Sequence, residues 1–183
     1  MIATENIKNG VNVDQLVATI QAVQETPELA KFEFRGKNNW IDGGYCKTTV
    51  KGFYGVGQED TSRKAAFEMA ADHPEVLLGK DLAANPAEIV LHALSSCLTA
   101  AITYHAAALG IEIETMESNI KGGVDLHGFL GLDENVRKGF ESINVKFKVK
   151  SDASEEQLRN LSKFSPVFDM ISNPTPVNIE FEK

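Results

Sequence analysis

The sequence predicts an α+β fold with antiparallel strands. Segments with helical and with alternating apolar spacing follow one another as helix, strands, long helix, strands, helix and strand. Runs of strands between helices favour antiparallel pairing over a doubly wound parallel sheet. The chain has 183 residues, of which 43% are hydrophobic, and this is enough for one domain with a buried core.

The chain begins with a predicted helix that is followed by a β region. Asn12 and Gln15 have the spacing of a capping box, and apolar residues then recur at helical spacing until Pro27. Residues 31–35 alternate strictly, and Gly43–Gly44 indicate a hairpin. We further expect a loop over 58–64 and a strand over 65–71.

The clearest predicted element is a long helix over residues 86–109. Asn85 suits its N-cap, Pro86 suits its first position and Gly110 suits its C-terminal stop. The segment is rich in alanine, and apolar residues occupy most of the helix circumference. This predicts a central helix that other elements cover on more than one side.

The remaining elements are predicted from alternation and capping signals. Ser154 and Gln157 form a capping box for another helix, which Pro166 breaks or kinks. We also expect strands over 111–126, 142–150 and 177–181, and a long connection over 127–140.

Charge and composition exclude several classes of partner. The formal net charge is −8, from 26 acidic and 18 basic residues, and a phosphate-binding surface needs the opposite sign. We therefore expect no nucleic-acid partner. Polar residues interrupt every long apolar segment and the first ten residues lack an apolar core, so we expect no membrane partner and no signal peptide. Two cysteines cannot form a disulfide framework, which favours a cytoplasmic protein with reduced thiols.

Motifs for cofactors and metals are absent from the sequence. It contains no GxGxxG, Walker, GxSxG, HExxH or CxxC pattern. His92 and His105 are 13 residues apart, and neither has a histidine or acidic residue four positions later to complete a metal site. We expect no metal and no cofactor.

Cys97 is the remaining candidate for chemistry. It lies in the long helix among small residues that leave room for a ligand or a second helix, although a free cysteine on an apolar stripe is also typical of a small core hydrophobe. About 11 residues separate it from the helix N-terminus, so the helix dipole does not activate its thiol. A reactive Cys97 needs a cation or a hydrogen-bond donor from elsewhere in the fold, and Arg35 and Lys47 in the early β region are the candidates.

Several motifs follow one another along the chain. They are Asn85-Pro86-Ala87-Glu88 with Leu94-Ser95-Ser96-Cys97-Leu98, and Phe164-Ser165-Pro166-Val167-Phe168-Asp169 with Asn173-Pro174-Thr175-Pro176-Val177. In this order they resemble the OsmC/Ohr family of organic hydroperoxide reductases. Trp40-Ile41-Asp42-Gly43-Gly44, Phe53-Tyr54-Gly55 and residues 125–132 are similar to one OsmC-like branch. The resemblance covers residues 31–183, which implies an OsmC-like domain there and an N-terminal helical extension over 1–30.

The resemblance implies a fold, an assembly and a reaction. The fold is an antiparallel sheet with two long central helices, in an intertwined homodimer with two sites at the subunit interface. Cys97 corresponds to the peroxidatic cysteine, whose thiolate attacks the peroxide and becomes a sulfenic acid. A second cysteine resolves it as a disulfide, an early arginine and a glutamate orient the nucleophile, and lipoyl-type dithiols reduce the disulfide.

This sequence departs from that scheme at three positions. Ser165 stands where the resolving cysteine is expected. The position of the orienting glutamate is Ala87, and Glu88 is one residue further on, about 100° around the helix. Lys47 is nearest to the arginine position and lacks the planar fork of a guanidinium.

Three functional hypotheses remain open from the sequence. Cys97 reduces a small hydrophobic peroxide and is regenerated by an external thiol reductant or by Cys46, although alternation places Cys46 and Lys47 on opposite faces of a regular strand. Alternatively, the protein is a catalytically degenerate dimer that binds a small hydrophobic ligand in a crevice by Cys97, Ala101 and Phe168. In a third hypothesis Cys97 is only a core residue.

Overall fold

The computed structural model describes residues 5–183, which divide into two compact units. One unit consists of residues 12–90 with Glu5 and Asn6, and the other of residues 7–11 with 91–183. The boundary predicted at residue 30 stays a prediction.

The N-terminal helix forms as predicted. Two short strands precede it as a two-stranded sheet, β1 (Ile7–Lys8) and β2 (Val11–Asn12). Helix α1 spans Val13–Glu25, and Oδ1 of Asn12 accepts a hydrogen bond from the Gln15 backbone N–H at 3.0 Å. A single 3₁₀ turn, Pro27–Ala30, follows. No residue of α1 is buried, although its sequence carries an apolar stripe.

The first unit contains two antiparallel three-stranded sheets. Their strands are β3 (Glu33–Phe34), β4 (Lys37–Asp42), β5 (Tyr45–Val50), β6 (Phe53–Gly55), β7 (Gln58–Asp60) and β8 (Phe67–Ala71). The strand orders are β4-β5-β8 and β3-β6-β7. The β4–β5 hairpin turns at Gly43–Gly44, and β8 forms within 65–71, so both predictions are confirmed.

The loop predicted over 58–64 is wrong in its first half, because β7 pairs there with β6. The two strands are joined by Val56 and Gly57, whose φ angles of 53° and 75° belong to a tight hairpin turn. A β-branched residue rarely adopts this conformation, and the polar residues that follow do not indicate a strand.

Helix α2 spans Pro86–Ala108 and has the termini that the sequence predicts. Oδ1 of Asn85 accepts from the Ala87 N–H at 2.8 Å, and Gly110 is in the left-handed region at φ 74°. The residues of α2 that are buried are Leu94, Leu98, Ile102, Ala106 and Ala107. By length and composition alone α2 is also long and apolar enough to cross a membrane, a test that the core helix of a soluble protein passes equally well.

The second unit packs a two-stranded ribbon and two short helices against α2. The ribbon joins β9 (Ile113–Gly122) to β10 (Ile143–Ser151) in antiparallel register, and the helices are α4 (Glu155–Ser162) and α5 (Pro166–Ser172). The buried residues Ile102, Ala106 and Leu161 form a core cluster, with Ile111, Ile113, Met116, Phe147 and Leu158 packed against it. The capping box of Ser154 and Gln157 is confirmed.

Three details of the C-terminal half differ from expectation. The connection over 127–140 includes the end of a short helix, α3 (Leu126–Phe129), which Asp125 caps. In place of a second long helix there are α4 and α5, because Pro166 starts a new helix. The strand predicted over 177–181 does not form in this chain, since alternation alone supplies no partner strand. The α+β class with antiparallel sheets is confirmed.

Candidate functional site

Cys97 lies in the middle of α2 and is half-buried. Its neighbours Leu94 and Leu98 belong to the buried stripe of the helix, so Cys97 lies at the border between that stripe and the exposed face. Backbone N–H groups in mid-helix are already bonded within the helix. Ionisation of this thiol therefore depends on side chains that approach it.

Ser165, which stands where the resemblance predicts the resolving cysteine, is the N-cap of α5. It is 1% exposed, and its Oγ accepts from the Phe168 N–H at 3.2 Å. Serine is among the best N-cap residues, because its short hydroxyl satisfies a backbone donor that the helix leaves free. The hydroxyl thus has a structural role that explains a serine here.

The two residues predicted to line a pocket lie in the same unit as Cys97. Ala101 is half-buried one turn further along α2, and Phe168 is partly exposed on α5. Beside them, the ring of His105 on α2 stacks on Phe164 with the centroids 4.1 Å apart. This stack fixes the segment before α5 against α2.

The cations of the early sheets are paired with glutamates. Nζ of Lys47 lies 2.8 Å from Oε1 of Glu68, and this hydrogen bond and charge raise the pKa of Lys47. Arg35 pairs with Glu59, which raises the pKa of the guanidinium. Each predicted activating cation therefore has a carboxylate partner within its own unit.

Cys46 is a half-buried free thiol at the centre of the sheet β4-β5-β8. It pairs with Trp40 on one side and with Ala71 on the other. Lys47 and its partner Glu68 lie on the opposite face, as the predicted alternation requires.

Glu88 caps α2. Its Oε2 accepts from the backbone N–H of Asn85 at 2.8 Å, while Oδ1 of Asn85 accepts from Ala87. The two residues therefore form a reciprocal cap, and the carboxylate of Glu88 is engaged at the helix start.

A polar cluster that no sequence motif indicates lies before α2. The carboxylate of Asp72 is 1% exposed and accepts backbone N–H bonds from His73, Lys80 and Leu82 at 2.8, 3.2 and 3.1 Å. Burial acts to raise the pKa of Asp72, but the three donors outweigh it and the pKa is lowered. No local pattern predicts this cluster, because it depends on how the 72–82 loop closes.

His73 belongs to the same cluster. Its Nδ1 lies 2.7 Å from Nδ2 of Asn85, the residue that caps α2. Within residues 5–183, no group of three or more His, Cys, Asp or Glu side chains has the arrangement of a metal site.

The predicted site residues are divided between the two units. Cys97, Ala101, Ser165 and Phe168 lie in one unit. Cys46, Lys47 and Glu88 lie in the other. The first group offers a half-buried thiol beside apolar side chains, and the second offers a second thiol on a sheet face.

Three solved structures with similar folds are distant from this chain in sequence. An OsmC-like protein from Mycoplasma pneumoniae is 16% identical with a TM-score of 0.58, over 78% of this chain and 89% of the other. A putative osmotic stress induced and detoxification response protein from Psychrobacter arcticus is 16% identical with a TM-score of 0.51, over 72% and 83%. An organic hydroperoxide resistance protein OsmC and predicted redox protein from Legionella pneumophila is 14% identical with a TM-score of 0.50, over 76% and 90%.

Sequence comparison agrees with the fold. No curated protein matches the chain. Residues 79–180, more than half of the chain, match the family model described as OsmC-like protein, and this range includes α2, Cys97 and Ser165. The chain therefore belongs to the family of OsmC-like proteins.

Proposed function

We propose that this protein reduces small organic hydroperoxides with Cys97 as the peroxidatic thiol, as a defence against oxidative stress. One observation carries the proposal: within the segment that matches the family, α2 holds a free, half-buried thiol, Cys97, where the resemblance implies the peroxidatic cysteine. A half-buried position suits a nucleophile, because the sulfur is reachable while water is partly excluded.

The chemistry at Cys97 needs no metal. The thiolate sulfur attacks one peroxide oxygen, the O–O bond breaks, and the alkoxide leaves with the electron pair and takes a proton to become an alcohol. Cys97 is thereby oxidised to a sulfenic acid. The neighbouring Ala101 and the partly exposed ring of Phe168 offer apolar surface for the organic part of the peroxide.

Regeneration requires a thiol other than residue 165. The buried hydroxyl of Ser165 is bonded to the α5 backbone and cannot form a disulfide. We propose that a small external thiol condenses with the sulfenic acid, with loss of water, and that a second thiol then releases Cys97 as the reduced form. Cys46 is the alternative resolver within the chain.

We propose that the working unit is a cytoplasmic homodimer. The side chains of Val177, Ile179 and Phe181 are 79, 74 and 87% exposed although they alternate as in a strand. Helix α1 has no buried residue. Exposed apolar segments of this kind are typical of subunit interfaces.

Peroxide consumption tests the proposal directly. Cumene hydroperoxide with a dithiol reductant is supplied to the wild type and to Cys97→Ser and Cys46→Ser variants. We expect Cys97→Ser to abolish turnover, and Cys46→Ser to retain it if an external thiol is the resolver. Turnover by Cys97→Ser at the wild-type rate would exclude Cys97 as the peroxidatic residue.

A non-catalytic binding protein is the second candidate function. It is favoured by Ser165, Glu88 and Lys47, each of which is engaged in a structural contact. In that case the dimer holds a small hydrophobic molecule near Cys97, Ala101 and Phe168. Ligand binding would raise the melting temperature in both the wild type and Cys97→Ser, without peroxide consumption by either.

A further inference from the structure

The N-terminal hairpin turns at Asn9-Gly10, the only Asn-Gly pair in the sequence. These two residues join β1 to β2 with φ angles of 50° and 76°, in the left-handed region that a type I′ turn requires. An asparagine before glycine is also the asparagine that deamidates most readily, because glycine has no side chain to hinder attack by its backbone nitrogen. The turn therefore contains a chemically reactive amide.

The side chain of Asn9 is bonded to the segment that joins α2 to β9. Its Nδ2 donates to the Ile111 carbonyl and its Oδ1 accepts from the Ile113 N–H, both at 2.9 Å. Nζ of Lys8 donates to the Gly110 carbonyl at 2.6 Å. The hairpin and this segment belong to the same compact unit. Both ends of the amide are thus held by backbone groups 102 and 104 residues further along the chain.

These bonds oppose deamidation in the folded chain. The reaction needs Cγ of Asn9 to turn toward the backbone nitrogen of Gly10, and the amide cannot turn while its nitrogen and its oxygen are both bonded. A two-stranded hairpin is only marginally stable by itself, so its position depends on this docking. Deamidation therefore becomes possible when the hairpin opens locally.

The product of the reaction does not fit the docked position. An aspartate carboxylate can accept from the Ile113 N–H, but it has no hydrogen to donate to the Ile111 carbonyl. Two acceptor oxygens then face each other, and the carbonyl loses its partner. Ile111 and Ile113 pack against the core cluster of Ile102, Ala106 and Leu161, so the loss weakens the structure where α2 ends and β9 begins.

We propose that Asn9 is a deamidation site, and that its conversion to an acid is a one-way change that releases the N-terminal hairpin. In the opened hairpin the Gly10 nitrogen attacks Cγ of Asn9. A new C–N bond forms, the Cγ–Nδ2 bond breaks, and ammonia leaves with the proton of the Gly10 nitrogen. Water then opens the succinimide to aspartate or isoaspartate, with no change of oxidation state. Because the acid does not revert to the amide, the original docking is not restored.

The first test compares two Asn-Gly turns in one protein. Val56→Asn creates a second such turn between β6 and β7, where φ is 53° and 75° and the side chain of residue 56 is 57% exposed. Peptide mapping by mass spectrometry follows both sites at mildly alkaline pH. In the folded protein we expect Asn9 to deamidate about tenfold more slowly than position 56, because its two hydrogen bonds must first break. In urea the two rates should converge, and equal rates in the folded protein would overturn the proposal.

A second variant loosens the hairpin without altering its turn. Lys8→Met removes the bond to the Gly110 carbonyl, and we expect faster deamidation of Asn9. Lys31→Met is the matched control, since Lys31 pairs with Glu28 three residues away, and it should deamidate like the wild type. An unchanged rate in Lys8→Met would contradict protection by docking.

A third variant supplies the product directly. We expect Asn9→Asp to have a lower free energy of unfolding in urea at neutral pH, and faster hydrogen exchange over residues 110–113. The difference from the wild type should shrink in acid, because a protonated carboxyl group can again donate to the Ile111 carbonyl. Asn39→Asp, at an exposed asparagine of β4, changes the net charge equally and is the control. An Asn9→Asp protein as stable as Asn39→Asp would overturn the release. If Asn9→Asp does not fold, the rates in Val56→Asn still decide whether docking protects Asn9.

Discussion

At the scale of single residues, Ser165 has a structural role where the resemblance leads one to expect a cysteine. Its hydroxyl accepts the Phe168 N–H and begins α5. The sequence identified Ser165 as a departure from the family scheme. The cap is not evident from the sequence, because a proline after a helical pattern indicates a break or kink as readily as the start of a new helix.

Removal of this cap is expected to destabilise the protein. Ser165→Ala leaves a buried backbone donor without its acceptor, and N-cap losses cost about 1 kcal/mol. Urea denaturation should show that decrease in the free energy of unfolding. Ser162→Ala, which removes an exposed hydroxyl bonded only to the Arg159 carbonyl, is the control and should change stability much less.

Ser165→Cys tests whether a cysteine at this position can form a disulfide with an oxidised Cys97. If Cys97 forms a sulfenic acid, a cysteine placed at the family's resolving position should capture it as a disulfide after one equivalent of hydroperoxide. Non-reducing peptide mapping would detect the linkage between residues 97 and 165. A Ser165→Cys protein in which residues 97 and 165 stay unlinked after oxidation would argue against a resolving geometry.

Asp72 predicts an acid-sensitive loop. Because its pKa is lowered in the folded protein, its contribution to stability is full above the ordinary aspartate value of about 3.9 and is lost as the pH falls through the folded pKa. Asp72→Asn should lower the melting temperature by several degrees at neutral pH. The difference between the two proteins should shrink in acid, and a pH-independent difference would contradict this interpretation.

At the scale of elements, capping signals predicted helices well and alternation predicted strands less well. The caps of α1, α2 and α4 are local hydrogen bonds between residues two or three apart, so the sequence contains all that they need. A strand needs a partner from elsewhere. For this reason residues 177–181 alternate without forming a strand, and polar β7 forms a strand without alternating.

The β6–β7 turn offers a stabilising change. Val56 has φ 53°, where a β-branched residue is strained, whereas asparagine tolerates this region. Val56→Asn creates an Asn-Gly turn, and we expect the free energy of unfolding to rise by about 1 kcal/mol. Val76→Asn, at another exposed valine, is the control and should show no such gain.

At the scale of the whole molecule, the sequence predicted the α+β class and the family, and the structure and comparisons support both. From the sequence one can name candidate residues for catalysis, but not the hydrogen bonds and ion pairs that those residues form in the folded chain. Glu88, Lys47 and Ser165 each have partners that only the folded chain reveals. The His73–Asn85 pair was missed for the same reason, since it joins the end of β8 to the start of α2.

The exposed apolar segments predict a dimer in solution. The chain mass is 20.0 kDa, and light scattering after size exclusion should report twice that mass. Phe181→Asp introduces a charge in the exposed C-terminal segment and should weaken association, because a buried unpaired carboxylate is costly. Glu182→Gln is the neighbouring control. A wild type that elutes as a monomer at all concentrations would contradict the assembly.

Chemical trapping of Cys97 as a sulfenic acid tests most directly whether Cys97 reduces organic hydroperoxides. The protein is treated with cumene hydroperoxide in the presence of a dimedone probe, and both cysteine peptides are quantified by mass spectrometry. We expect an adduct on Cys97 that depends on peroxide and appears faster than any adduct on Cys46. An unlabelled Cys97 in folded protein that consumes no peroxide would contradict it.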